Sequence, residues 1–439
     1  MPKHELAIPS ATEIKKHVMT ALARYWPKGQ DSLSTLPVSL QTEVTLQLPL
    51  KLIEVHLPDW ASTCSVNNAL LIPQEIAPAD KDWRKVDWWL CAFLLLEGWH
   101  ERLWEQKHGP IHSYSARLKN WDERMWQHAW VNRIALFLRL WAAKTEGVPS
   151  EHLLGPLPKT EFLMTHDVDA IAKTGPIRIK QGVFNLVNAV RAAGTGNIQT
   201  AARKAVKAWR FVFSQDDWWT LDALLETEVR HQLHARYHFY ADQRSKTVKQ
   251  WLFDPGYDIN NFRVRSFLSK LTNAGATIGL HPSFDSWQSP QLIQQQKANL
   301  ETSSTQSCHS CRQHWLRFSW HDTWAAQEQA GIDNDTTLMF NDRPGFRNSA
   351  AVNWHPWNYA KGTANELTAL PTIIMDSHFY DYHQYETSDQ RHNAMLHWIA
   401  ECQIVGGQAA LLWHPHTLTE DYGWGEGFQH LVSIIPGAR

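Results

Sequence analysis

A chain of 439 residues is too long for one ordinary compact core and points to two domains, or to one large domain with an appendage. Its 42 basic residues against 44 acidic ones leave a net charge of −2, which gives no global electrostatic signal for nucleic acid or an anionic membrane. The composition is otherwise that of a globular protein, apart from a load of 24 Trp and 24 His. Each Trp carries a large apolar area and one donor, so a core or domain-interface position is the default for any single indole.

The opening Met1-Pro2-Lys3-His4-Glu5-Leu6 lacks the basic-then-apolar pattern of a secretory leader. The longest strongly apolar run, Trp88 to Leu96, is nine residues, whereas a spanning helix needs about 20. Five cysteines without even spacing fit a reducing compartment better than a disulfide scaffold. The expectation is a cytoplasmic protein that does not span a membrane.

Residues 1–157 read as a separate α+β unit of unassigned role. Thr42 to Leu57 alternates or runs apolar and predicts a strand pair, followed by apolar helices over Trp83 to Trp104 and Asp122 to Lys144. Gly147-Val148-Pro149-Ser150 and Gly155-Pro156-Leu157-Pro158 punctuate its end. From Glu161 a short strand runs into His166-Asp167-Val168-Asp169. Residues 171–232 read as a helical insertion, and strands then alternate with helices. The expected strands are Arg236 to Tyr240, Ala276 to Leu280, Thr372 to Met375 and Gln408 to Trp413; helices are expected over Asn261 to Ala274 and Gln288 to Leu300. Such alternation predicts a mostly parallel sheet with helices outside it, whose functional residues gather at the carboxyl ends of strands.

Three polar clusters stand at such ends. Asp167 and Asp169 repel unless a cation, a proton or strong donors sit between them; an Asx-turn or helix cap is the plainer explanation of an isolated Asp-x-Asp. His281 ends the strand through Ile278-Gly279-Leu280, and Asp285 is one helical turn further on, so both could meet one ion. His414 closes Leu411-Leu412-Trp413, where a protonated imidazole could give a proton to a leaving amine. Any one of these is as easily structural. Their recurrence at successive strand ends is what suggests one shared site.

Thr165-His166-Asp167-Val168-Asp169 resembles the opening motif of the polysaccharide deacetylases (carbohydrate esterase family 4), and Ile278-Gly279-Leu280-His281-Pro282-Ser283 resembles their second motif. Gly345-Phe346-Arg347, with Asp335-Thr336-Thr337-Leu338, is similar to the third, and Leu411-Leu412-Trp413-His414 to the last. The resemblance covers about residues 160–420 and is nearest to a divergent bacterial branch. It implies a distorted (β/α) barrel over 158–439 beside a smaller N-terminal domain, and a divalent metal, Zn²⁺ being the expected ion. It also implies Asp167 as the base that activates water, Asp169 and His281 as metal ligands, Arg347 as the residue orienting the base, and His414 as the general acid. Asp285 stands where the family has a second metal His, with His314 and His166 as rival third ligands. The implied reaction is removal of an N-acetyl (or O-acetyl) group from a saccharide in cell-envelope glycan assembly, the acetylated saccharide being lipid- or nucleotide-linked. Two other readings stay open: a hydrolase of the same fold acting on a non-sugar C–N amide bond, and a catalytically inactive glycan-binding protein.

Other features carry less. Cys308-His309-Ser310-Cys311 lacks the second ligand pair of a zinc ribbon and reads as a surface helix. Gly194-Thr195-Gly196 reads as a loop rather than a dinucleotide fingerprint. Arg203-Lys204-Lys207-Arg210 reads as a solvated helix face, with contact to a phosphate-bearing substrate as the alternative. Arg343 and Arg347, around Pro344-Gly345, could bind a substrate anion or form salt bridges. Trp354, His355, Trp357 and Trp424 are candidates for a saccharide-facing wall.

Overall fold

The structure, a computed structural model, describes residues 6–41, 44–194, 198–382 and 385–435. In the N-terminal part β1 (Leu52–His56) pairs antiparallel with β2 (Ala69–Pro73). The main sheet is built from β3 (Glu161–Val168), β4 (Ala235–Phe239), β5 (Thr277–Leu280), β6 (Ser310–Cys311) and β7 (Asn334–Asp335). A small antiparallel pair, β8 (Trp357–Asn358) and β9 (Thr363–Ala364), then precedes β10 (Thr368–Ala369), β11 (Thr372–Met375) and β12 (Gln408–Leu412).

The eight strands of the main sheet run in the order β10-β7-β6-β5-β4-β3-β12-β11, and every pairing is parallel. Its two edge strands, β10 and β11, are consecutive in the chain with only Leu370 and Pro371 between them. The sheet has therefore curled until its edges nearly meet, giving a distorted (β/α) barrel. Strands covered on both faces should be apolar throughout. The Ala409–Leu412 stretch of β12 and all of β11 are buried accordingly.

The connecting helices form where the sequence gives local signals. Pro290–Ser304 starts with Ser289 accepting the Leu292 N–H and with Pro290 in the first turn. Ser388–Val405 begins on a Thr387/Gln390 capping box and ends at Gly406 in a left-handed conformation.

The main apolar core runs from Ile14 to Ile435 and crosses the expected boundary near residue 157, with two small clusters beside it. All nine residues of the helix Trp88–Leu96 are buried, and full burial of a large apolar side chain stabilises by about 2 kcal/mol. Buried polar bonds cross the same boundary. The Glu97 carboxylate, fully buried, accepts from Arg102, His17, the Trp354 indole and the Trp357 backbone at 2.8–3.0 Å. The Tyr25 hydroxyl donates to the Val405 carbonyl at 2.6 Å.

Several element boundaries differ from the sequence reading. The strand pair forms between β1 and β2, not within Thr42 to Leu57, because the partner of Leu52–His56 is the fully buried Ala69–Pro73; Thr42 and Glu43 lie outside the described residues. The helix expected over Trp83 to Trp104 is split at Gly98, whose φ of +54° bends the chain and whose missing Cβ leaves space for the Trp320 ring. Cys308 and Cys311 are buried at β6 and are not on a surface helix. Thr195 and Gly196, and the side chains of Arg203, Lys204, Lys207 and Arg210, lie outside the described residues.

Candidate active site

Asp167 is the penultimate residue of β3, and strand alternation puts Thr165 and Asp167 on one face and His166 on the other. His166 is thereby removed from the candidate ligands. Its Nδ1–H donates to the Trp413 carbonyl at 2.6 Å, and its other nitrogen meets Glu228 on an outer helix. Asp167 is 2 % exposed, and two donors hold its Oδ1: the His238 Nδ1–H at 3.1 Å and the Arg312 guanidinium at 3.3 Å.

Arg312 follows β6 and reaches across the barrel interior. It donates to Thr165 Oγ1 at 2.7 Å, Thr372 Oγ1 at 2.9 Å and the Thr336 carbonyl at 3.0 Å. His238 fits beneath Asp167 because β5 carries Gly279 at the facing position, where a Cβ would strike the imidazole and Ser310 Oγ. Burial alone would raise the Asp167 pKa; Arg312, with His281 and His238, instead holds it well below the usual carboxylate range. Burial pushes His238 down to about 3, so its imidazole is neutral and serves as a donor.

Asp169, just past the strand end, faces two imidazoles. Its Oδ1 lies 3.3 Å from His281 Nε2 and 3.4 Å from His314 Nδ1, and these two nitrogens are 2.8 Å apart. The protons of both rings can be assigned from their outer partners. His281 Nδ1 is 2.7 Å from the Arg312 carbonyl and His314 Nε2 is 2.7 Å from the Phe253 carbonyl. A carbonyl only accepts, so each outer nitrogen is the donor, and in the tautomer this selects, the inner nitrogen carries a lone pair.

Two lone pairs and a carboxylate oxygen thus converge on one point, and Asp169 Oδ1 is buried there without a hydrogen-bond partner. A positive charge belongs at that point. Burial opposes a charge on His314, yet Asp169 raises its pKa, which reflects the same demand. Two imidazoles and a carboxylate, each imidazole anchored through its other nitrogen to a carbonyl, form a donor set suited to a divalent transition metal.

His414 follows β12 and Asp376 follows β11, so adjacent strand ends bring them together. Asp376 Oδ1 accepts the His414 Nδ1–H at 2.9 Å, and its Oδ2 accepts the His414 backbone N–H at 2.8 Å. The free His414 Nε2 points at Asp169 Oδ2 from 3.6 Å. Burial works against the imidazolium, but Asp376 and then Asp169 push the His414 pKa up to about 9.

A cavity of about 630 Å³ is lined in part by Thr174, Ile177, Lys246, Trp251, Asp254 and Tyr257, and by none of Asp167, Asp169, His281, His314 and His414 themselves. Asp254 interacts electrostatically with His314, and Tyr257 with Asp169. Half-exposed Trp315 and Phe253 adjoin His314, 6.0 Å apart edge to face, with the Phe253 carbonyl accepting from His314.

The structure brings Asp167, Asp169, His281 and His414 together and corrects two other expectations. Asp285 does not join the cluster: its carboxylate is partly exposed and paired with Lys249 at 2.6 Å, and His314 occupies the third position beside Asp169 and His281. Arg347 does not reach Asp167: its guanidinium is buried against the Glu101 carboxylate and donates to the Met339 carbonyl at 3.0 Å, while Arg312 takes the place beside Asp167. Asp335 is a structural acceptor for Trp324 and Gln327. Arg343 pairs with Glu123, Trp354 and Trp357 lie in the core, and Trp424 stacks on Tyr380.

His238, Arg312 and Asp376 were not singled out from the sequence. The signal was available for two of them. Asp376 ends the apolar run Thr372–Met375 just as His414 ends β12, and Arg312-x-His314 after β6 repeats the spacing of Asp167-x-Asp169 after β3.

No family model and no curated protein matches the chain. Among solved structures it is similar to a protein from Mycobacterium smegmatis provisionally assigned as a polysaccharide deacetylase, with 14 % identity over 63 % of this chain and 84 % of that one, and a TM-score of 0.38. It is also similar to a carbohydrate esterase family 4 pseudoenzyme from Bacillus anthracis, with 12 % identity over 66 % of this chain and 68 % of that one, and a TM-score of 0.30. A mutant of that pseudoenzyme with restored enzymatic activity gives 12 % identity over 65 % and 68 %, and a TM-score of 0.30.

Proposed function

We propose that the protein is a metal-dependent deacetylase that hydrolyses an N-acetyl group on a saccharide, and that Asp169, His281 and His314 hold the ion. One observation carries the reading: the lone pairs of His281 Nε2 and His314 Nδ1 converge on Asp169 Oδ1, between a carboxylate held ionised and an imidazole held protonated. A bound divalent ion such as Zn²⁺ would supply Lewis acidity towards the acetyl carbonyl and the attacking water.

The remaining steps belong to the chain itself. Asp167 has its Oδ1 occupied by His238 and Arg312, which leaves Oδ2 to take the proton of the attacking water. As the tetrahedral centre collapses, His414 Nε2 donates its proton to the departing amine, and Asp376 steadies the imidazolium until then. Half-exposed Trp315, next to His314 in the chain, offers a saccharide ring an aromatic face to stack on. A polar carrier, lipid or nucleotide, would extend from the cleft past Lys246.

Acetate release from chitooligosaccharides tests the reading. Wild-type protein loaded with Zn²⁺ is expected to release acetate; Asp167→Asn and His414→Ala are expected to lose on the order of 10²–10⁴-fold in kcat, with metal content retained in Asp167→Asn. Undiminished turnover in both variants would sink the assignment of base and acid.

A further inference from the structure

The helices Gly175–Gly194 and Ile198–Phe213 pack antiparallel, with Arg178 donating to the Val212 and Ser214 carbonyls at 2.6 and 2.8 Å. None of their described residues belongs to the main core. Among the described residues the hairpin is rooted at its base, where Phe211 packs with Ala170 and Trp218, and Lys173 pairs with Asp421 at 2.6 Å.

Above that base the usual order is reversed. Small residues face inward: Gly182 lies so close to Val212 that a Cβ would not fit, and Ala189 and Ala208 are buried. Large apolar residues face outward. On the first helix Ile179, Val183, Leu186, Val187 and Val190 are exposed at helical spacing, Val190 to 66 %. On the second, Ile198, Val206, Trp209 and Phe213 are exposed, Trp209 to 68 %. A water-facing pair would place these residues inside. Small residues at the seam and large apolar ones outside is the arrangement of helices whose outer surface meets lipid.

Charge identifies the lipid. Between Asp169 and Asp216 the sequence has eight Lys and Arg and no Asp or Glu, in a chain whose net charge is −2. Lys173 and Arg178 bond at the base; the other six, Lys180, Arg191, Arg203, Lys204, Lys207 and Arg210, are counted from the sequence of the two helices alone. Apolar stripes in a basic, acid-free segment match an anionic bilayer surface, where acyl chains meet the stripes and headgroups meet the cations. Among the described residues no helix is long and apolar enough to cross a membrane. The contact is therefore with one leaflet.

We propose that this hairpin seats the protein on an anionic lipid surface. Because it departs directly from the strand end that carries Asp169, and Thr174 and Ile177 at its start line the cleft, docking would bring the cleft mouth to the headgroups. That orientation is the one a lipid-linked saccharide needs, and only this last point rests on the deacetylase reading.

The test is co-sedimentation of the full chain with phosphatidylcholine vesicles, with and without phosphatidylglycerol. Binding is expected to require phosphatidylglycerol, to weaken as salt rises from ~0.1 to ~0.5 M, and to fall by about tenfold or more in Leu186→Asp/Trp209→Asp. Circular dichroism and the melting temperature of that variant should match the wild type, because both side chains are exposed. Absence of binding to phosphatidylglycerol vesicles overturns the proposal, as does equal binding by the variant. A wild-type dimer that the variant loses, without vesicle binding, would give the stripes to a second copy of the chain and overturn it too. No turnover assay enters these outcomes, so docking and deacetylation can fail independently.

Discussion

Asp376 holds His414 at two points, its Oδ1 on the ring Nδ1–H at 2.9 Å and its Oδ2 on the backbone N–H at 2.8 Å. The first bond raises the imidazole pKa and the second fixes where its Nε2 points. A general acid must be protonated to work, so turnover should fall as pH rises through the His414 pKa. Asp376→Asn keeps the shape but removes the anion, so that pKa drops. The alkaline limb of the pH–kcat profile is expected to move down by about 1–2 units, with KM little changed. An unmoved limb would remove His414 from the acid role.

The candidate metal site includes His314 and leaves out Asp285. His314→Ala deletes one of the converging lone pairs and is expected to weaken Zn²⁺ binding by on the order of 100-fold or more, since losing even a partner outside the ligand set costs about 10–100-fold. Asp285→Ala breaks only a partly exposed pair with Lys249 and should leave affinity within about twofold, as such pairs contribute ~0–1 kcal/mol. Titration of the metal-stripped proteins with Zn²⁺ reads both values.

Arg312 and Arg347 should likewise part company. Arg312→Lys keeps a charge but cannot span Thr165, Asp167 and Thr372 at once, so kcat is expected to fall by about 10²-fold or more while the fold persists. Arg347→Met leaves Glu101 buried without its partner and should cost about 3–5 kcal/mol in stability. Chemical unfolding alongside steady-state kinetics distinguishes the two effects.

Glu401 joins the helix Ser388–Val405 to the N-terminal part through Arg133 at 2.7 and 2.8 Å and His128 at 2.9 Å. Burial opposes its charge, but His128 and Arg133 bring its pKa down to about 2. A pKa depressed on folding stabilises above the unfolded value of about 4.3 and loses that contribution as pH falls towards 2. Glu401→Gln is expected to cost about 3 kcal/mol at pH 7, and its gap from wild type in urea midpoint should narrow steadily below about pH 4.

Much of the barrel was legible because strand and helix periodicities are local. The strand Thr372–Met375 and the helix near 261–274 were readable from alternation and apolar spacing alone. The two-residue strands β6, β7 and β10 were not, since so short a stretch has no period and exists only through its neighbours. The site followed the same division. Asp167, Asp169, His281 and His414 each follow or end a strand long enough to recognise, whereas Arg312 follows the two-residue β6; His314, named from the sequence as a rival third ligand, follows the same strand. Asp285 was attractive because four residues make one helical turn, but the segment after His281 is not helical, and its carboxylate turns to Lys249. His238 was hidden for a different reason: it lies inside a strand, where an imidazole reads as filler until the opposing Gly279 is seen to make room for it.

The core that passes without a break from Ile14 to Ile435 bears on how the gene can be cut. Glu97 and Arg102 sit on one side of residue 157 and Trp354 and Trp357 on the other, yet all four meet in a single buried knot. A truncation that begins at the barrel would uncover the wall that Trp88–Leu96 now seals and strand the indole of Trp354. Such a fragment would be sticky and would precipitate on expression. The N-terminal part closes one flank of the barrel, and the barrel cannot be excised cleanly at that seam.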